Sequence, residues 1–261
     1  MARLKRVVLI VGATLLVGYL LVCTLLFFAQ RSMIYPAPKS GAQPRNSQVI
    51  HLDGGGLFIY RAPPTAEAPV LIYFHGNADE AAGSEFLADH FPIGLAAVEY
   101  PGYGLLAQQG SPSETSINQV AMRAVSYLLT TLKIAPSRLI VSGQSLGSGP
   151  AVELASQGIG TRLLLLTPYT SLPDVGARRM PAIPVRLLLL DRFDSAAKAS
   201  GIEMPVLVIH GTDDEVIPYD LGNKLSTLFP HAELLTIPHG HHNDLWTYPE
   251  VNARVARFLA Q

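Results

Sequence analysis

The chain has 261 residues, of which 49% are hydrophobic and 15% charged, so it can bury a large core and is not a disordered chain. Its net charge is −1; with Arg3, Lys5 and Arg6 set aside, 16 basic residues face 20 acids, a balance of −4 that argues against nucleic acid as a partner. The one cysteine, Cys23, excludes an internal disulfide and any cysteine-based zinc or iron–sulfur centre.

Val7 to Ala29 is apolar and uncharged. At ~1.5 Å per residue it spans roughly 34 Å, enough to cross a hydrocarbon core. The apolar part of a signal peptide is shorter, usually ~7–15 residues, and a small-residue cleavage site follows it. No A-x-A site stands out here, so residues 1–30 are predicted to be a signal anchor. Three basic residues precede the span and Arg31 alone follows closely, which predicts a cytoplasmic N-terminus with the body on the opposite side.

Residues 31–48 are predicted to be a linker, because 36–48 (PAPKSGAQPRNSQ) is rich in Pro, Gly and Ser. Residues 49–261 then form one domain of alternating strands and helices. Short apolar runs predict strands at 57–61, 70–74, 94–99, 138–142, 162–167, 205–210 and 233–237. Several are apolar on both faces, as buried parallel strands are. Helices are predicted at 79–90, 113–132, 146–157, 218–229 and 247–259, the second opened by Pro112-Ser113-x-x-Ser116. The predicted class is α/β: a mostly parallel sheet covered by helices on both faces. Residues 172–196, with Pro173, Pro181, Pro184 and the run Leu187 to Leu190, read as a cap inserted between two strands or as a crossover helix with a long approach.

The motifs sit where strands end. After the strand at 70–74 come His75-Gly76-Asn77-Ala78. After the strand at 138–142 comes Gly143-Gln144-Ser145-Leu146-Gly147, a G-x-S-x-G pattern with a helix behind it. A sharp strand-to-helix turn exposes a serine hydroxyl at the sheet edge, and glycines flank it because side chains there would collide with the neighbouring strand and helix. Ser145 is therefore the candidate nucleophile. The Leu146 N–H, at the start of the helix, is a candidate oxyanion donor. A second donor is needed, and the Asn77 N–H in the loop after the earlier strand is the candidate. His75 reads as a structural hydrogen-bonder of that loop. A third apolar strand ends in His210-Gly211 before Asp213, Asp214 and Glu215. Asp214 is favoured as the acid on spacing, and Asp213 as a helix cap.

Residues 237–246, IPHGHHNDLW, hold His239, His241 and His242. A metal cluster with Asp244 is one reading, but it leaves Ser145 unexplained. The other takes one ring as the general base that completes a Ser…Asp…His order.

Together the motifs resemble the serine α/β-hydrolase superfamily over residues 33–261. They are more closely similar to a branch of membrane-anchored hydrolases that includes depalmitoylating enzymes and is often labelled serine aminopeptidase-like. The matching stretches are FHGNA (74–78), EYPGYG (99–104), GQSLG (143–147), DRFDS (191–195), HGTDDEVIP (210–218) and HHND (241–244). The resemblance puts the base on His242. It departs from the branch at Glu99, where Asp is usual, at His241, where Gly is usual, and in the segment after Gly104. It implies the α/β-hydrolase fold and an acyl-enzyme mechanism at Ser145, Asp214 and His242, with no cofactor or metal. The substrate it implies is a small-molecule or acyl, lipid-like ester, thioester or amide. The alternatives are an aminopeptidase-like peptidase and a non-catalytic, membrane-tethered binding protein with this fold.

Overall fold

Alternation along each strand builds the molecule. In the strand Val70–Phe74, residues Val70, Ile72 and Phe74 join one apolar cluster, while Leu71 and Tyr73 join a second on the other face. A strand buried on both sides needs helices on both sides, and the computed structural model, which describes all residues 1–261, has them.

The chain begins with a long helix, α1 (Ala2–Ile34), then runs through β1 (Gln48–His51), β2 (Leu57–Arg61) and β3 (Val70–Phe74). Next come α2 (Phe86–His90), β4 (Gly94–Glu99), α3 (Glu114–Thr130), β5 (Leu139–Gln144), α4 (Ser148–Ser156) and β6 (Leu163–Leu166). Three short helices follow: α5 (Leu172–Arg179), α6 (Val185–Leu188) and α7 (Ala196–Ala199). The chain closes with β7 (Val206–Gly211), α8 (Tyr219–Ser226), β8 (Ala232–Ile237) and α9 (Pro249–Leu259).

The eight strands make one sheet in the order β1-β2-β4-β3-β5-β6-β7-β8, antiparallel at β1/β2 and β2/β4 and parallel from β4 onward. Residues of α3, α4 and α8 pack in the cluster on one face; those of α2 and α9 pack in the cluster on the other. The parallel strands all point the same way, so the loops after β3, β5, β7 and β8 meet along one edge. That edge is where open α/β sheets bind ligands.

Three expectations need adjusting. The strand β1 was not expected; it is a four-residue edge strand whose ends are exposed, too short for a clear alternation. The helix expected over 79–90 is a 3₁₀ turn at Ala81–Glu85 followed by the five-residue α2. The connection from β6 to β7 is not one crossover helix but the three short helices α5, α6 and α7, and the first two pack on each other as a cap.

The helix α1 is long and apolar enough to cross a membrane, and little of its apolar stretch is buried by protein. Its final turns dock on the cap. Gln30 Oε1 accepts from the Leu190 N–H at 2.8 Å and Gln30 Nε2 donates to the Leu188 carbonyl at 3.3 Å. Arg31 Nε lies 3.3 Å from Asp191 Oδ2.

Candidate active site

Ser145 follows β5 directly and has φ +51°, a left-handed conformation that costs a non-glycine residue energy. Local packing enforces the turn. A Cβ on Gly143 would overlap the Gly147 carbonyl, and one on Gly147 would overlap the Phe74 and His75 carbonyls. Only glycine lets the strand, the turn and β3 approach this closely.

The structure brings Ser145, Asp214 and His242 together. His242 lies in the loop after β8 and is nearly buried. Its Nδ1 donates to Asp214 Oδ2 at 2.8 Å. That bond assigns the ring proton to Nδ1 and leaves Nε2 to accept from the Ser145 hydroxyl, 2.9 Å away.

Asp214 is held from four directions. The Val216 and Ile217 N–H groups donate to Oδ1 at 2.8 and 2.7 Å. His210 Nε2 lies 3.2 Å from Oδ2, beside the His242 bond. Burial alone would raise this carboxyl pKa. The hydrogen bonds from His210, His242 and the Ile217 N–H outweigh it and hold Asp214 well below the ordinary carboxylate range. His210, at the end of β7, was read only as part of a strand-end motif. Its four-residue spacing to Asp214 is the one sequence signal of this support.

The three histidines of the last loop part ways, each with its own carboxylate. His239 Nδ1 meets Asp213 Oδ2 at 3.0 Å, and His241 Nδ1 meets Glu215 Oε2 at 3.2 Å. Both pairs are exposed, and only His242 bonds to the serine. Hydrogen bonding to Glu215 raises the His241 pKa.

The loop after β3 lies against the serine: a Cβ on Gly76 would sit 3.8 Å from Ser145 Cβ. The Asn77 backbone N–H has no hydrogen-bond partner within the protein. Its side chain is fixed instead. Tyr103 Oη donates to Asn77 Oδ1 at 2.5 Å, and Asn77 Nδ2 donates to the Ile34 carbonyl in the last turn of α1. Leu146 is the middle residue of the 3₁₀ turn Ser145–Gly147 that leads into α4, and its carbonyl accepts from Tyr169 Oη at 3.2 Å. His75 stays away from the serine. Its Nδ1 lies 2.8 Å from the Gly76 carbonyl and its Nε2 lies 3.2 Å from Glu99 Oε1, with the ring stacked on Tyr100.

A cleft of about 890 Å³ opens over Ser145. Asn77, Leu146 and Tyr169 form its floor, cap residues its roof, and Met33 and Ile34 of α1 part of its wall. No sequence pattern pointed to these last two residues, because nothing local relates the end of a membrane-type helix to a distant serine.

The family profile described as "alpha/beta hydrolase fold" matches residues 172–249. The human alpha/beta hydrolase domain-containing protein 17C is 32% identical over 211 residues, covering 79% of this chain and 62% of that protein. The chain belongs to the alpha/beta hydrolase superfamily. An uncharacterized protein from Mycobacterium tuberculosis is 32% identical over 238 residues, 85% of this chain and 84% of that one. Among solved structures, the Pyrococcus furiosus esterase Pf2001 superposes with a TM-score of 0.67 at 16% identity, covering 86% of this chain and 98% of that one. Est1E from Butyrivibrio proteoclasticus gives 0.63 at 19% identity, covering 83% and 98%. These likenesses show the fold.

Proposed function

We propose that the protein is a membrane-anchored serine hydrolase that cleaves carboxylic esters or thioesters through an acyl-enzyme. The observation that carries this reading is the unbroken hydrogen-bonded chain from Ser145 Oγ to His242 to Asp214, with both links under 3 Å. As Ser145 Oγ attacks the carbonyl carbon, its proton passes to His242 Nε2. The buried Asp214 carboxylate stabilises the resulting imidazolium. The Asn77 and Leu146 N–H groups donate to the oxyanion. Collapse of the intermediate breaks the bond to the leaving group, which takes the proton from His242. Water then attacks the acyl-enzyme, gives its proton to His242 and releases the acid with Ser145 restored.

Esters and thioesters are favoured over peptides with a free amino terminus. Such a peptide needs an uncommitted acid near the cleft, and Glu99, Asp191 and Asp194 are all engaged. Glu99 is fully buried against His75, Asp191 pairs with Arg31 and accepts from the Glu114 N–H, and Asp194 accepts from the Ala197 N–H. One of the fold's solved neighbours, Pf2001 from Pyrococcus furiosus, is described as an esterase, which agrees with this choice. The strained serine and the complete hydrogen-bonded chain weigh against a binding protein without catalysis. Residues 1–30 act as the anchor, with the N-terminus cytoplasmic and the catalytic domain, 49–261, on the opposite side.

A fluorophosphonate probe is expected to label the wild-type protein stoichiometrically and to leave Ser145→Ala unlabelled. Equal labelling of the two would refute the assignment.

A further inference from the structure

A second cavity adjoins the catalytic cleft and runs between α1 and the cap. It has an empty volume of about 390 Å³ and, apart from Gln30, every side chain lining it is apolar. Leu26, Phe27 and Met33 form one wall, and Ile183, Val185 and Leu188 another. Met33, Ile34, Met180, Val185 and Leu189 line both this groove and the cleft over Ser145, so the two spaces adjoin across these side chains.

The groove lies where a bilayer would surround it. The Tyr19 hydroxyl donates to the Ala182 carbonyl at 2.9 Å, so the cap tip is held alongside the middle of the predicted span. Tyr19 is ten residues before Ala29, or about 15 Å further along the helix and roughly half the depth of a hydrocarbon core. The tip itself, Met180-Pro-Ala-Ile-Pro-Val185, is apolar, and the side chains of Leu187 and Leu190 stand out from it, 86% and 57% exposed. Exposed apolar side chains of this size are costly in water and at home in lipid.

We infer that this groove holds the acyl chain of a long-chain ester or thioester residing in the same bilayer. The chain lies between α1 and the cap, with its carbonyl at Ser145 and its tail toward the lipid. The anchor helix is then part of the substrate site as well as a tether, and the substrate reaches the serine sideways from the membrane. The inference rests on the serine-hydrolase and anchor readings above. It also gives Asn77 a second role, because its side chain ties the oxyanion loop to the Ile34 carbonyl at the groove's inner end.

The test uses the full chain in phosphatidylcholine vesicles and a hexadecyl fluorophosphonate with a diazirine midway along its alkyl chain. Ser145 Oγ attacks phosphorus and fluoride leaves, fixing the head of the probe; irradiation then marks what surrounds its chain. Crosslinks are expected within residues 26–34 and 180–189. A Ser145 adduct whose crosslinks fall elsewhere in the protein, or only on lipid, would overturn the groove and leave the hydrolase reading standing. No adduct with this probe or with a small fluorophosphonate would overturn both. A second measurement uses Leu188→Trp, which narrows the groove away from the serine. Its ratio of kcat/KM for hexadecanoyl over butanoyl esters is expected to fall at least tenfold, and an unchanged ratio counts against the proposal.

Discussion

At the scale of single residues, the site is a question of which groups are paired. His239, His241 and His242 are close in sequence, yet each has a different carboxylate, and only His242 lies between an acid and the serine. His242→Ala is therefore expected to lower kcat/KM for an acyl ester by at least ~10³-fold. His241→Ala, which breaks only an exposed ion pair, should stay within about fivefold of wild type. Steady-state assays of the two variants check both outcomes, and the reverse ranking would reassign the base. Asp214 supports a prediction in pH. Its pKa is lower in the folded protein than in the unfolded chain, so protonation favours unfolding. The stability it contributes is complete above the unfolded value, near ~3.9, and is lost as pH falls toward the folded one. Urea midpoints measured between about pH 5 and 3 should fall more steeply for wild type than for Asp214→Asn.

At the scale of elements, strand ends and helix starts do the positioning. The β5–α4 turn holds Ser145 because three backbone segments pack closer there than any Cβ would allow. The helix α3 begins with a reciprocal cap: Ser113 Oγ accepts from the Ser116 N–H at 3.0 Å, and Ser116 Oγ accepts from the Ser113 N–H at 2.9 Å. Ser113→Ala leaves donors unsatisfied at that end and is expected to cost ~1 kcal/mol. In a domain of this size that lowers the melting temperature by about 2–4 °C, which calorimetry can resolve. Since α3 packs on the sheet far from the serine in sequence, probe labelling should be unaffected.

At the scale of the whole molecule, the distinctive feature is the attachment of α1 to the body. A simple tether would end in a loose linker. Here Gln30, Arg31 and Ile34 bond to the cap and to Asn77, so the helix comes to the site at a set position. With three basic residues before the span and Arg31 after it, an N-terminus on the cytoplasmic side is expected. In sealed, right-side-out vesicles, externally added protease should digest the body; protection of the body until the membrane is permeabilised would reverse the orientation.

Much of this molecule was legible because its signals are local. The seven expected strands fall within a residue or two of β2 to β8, since buried parallel strands are continuous apolar runs. Ser145, Asp214 and a histidine of the last loop could be nominated because each follows a strand, and the sheet's geometry brings strand ends together whatever the distance in sequence; the family resemblance singled out His242 among the three histidines. The edge strand β1 and the break in the 79–90 helix were not legible, because neighbours rather than periodicity decide such short elements. His210 behind Asp214, the separate pairing of the three histidines, and the meeting of Met33 and Ile34 with the catalytic cleft depend on loops and helices distant in the chain. A sequence encodes the faces of its own elements, but which faces meet is settled only when the whole core closes.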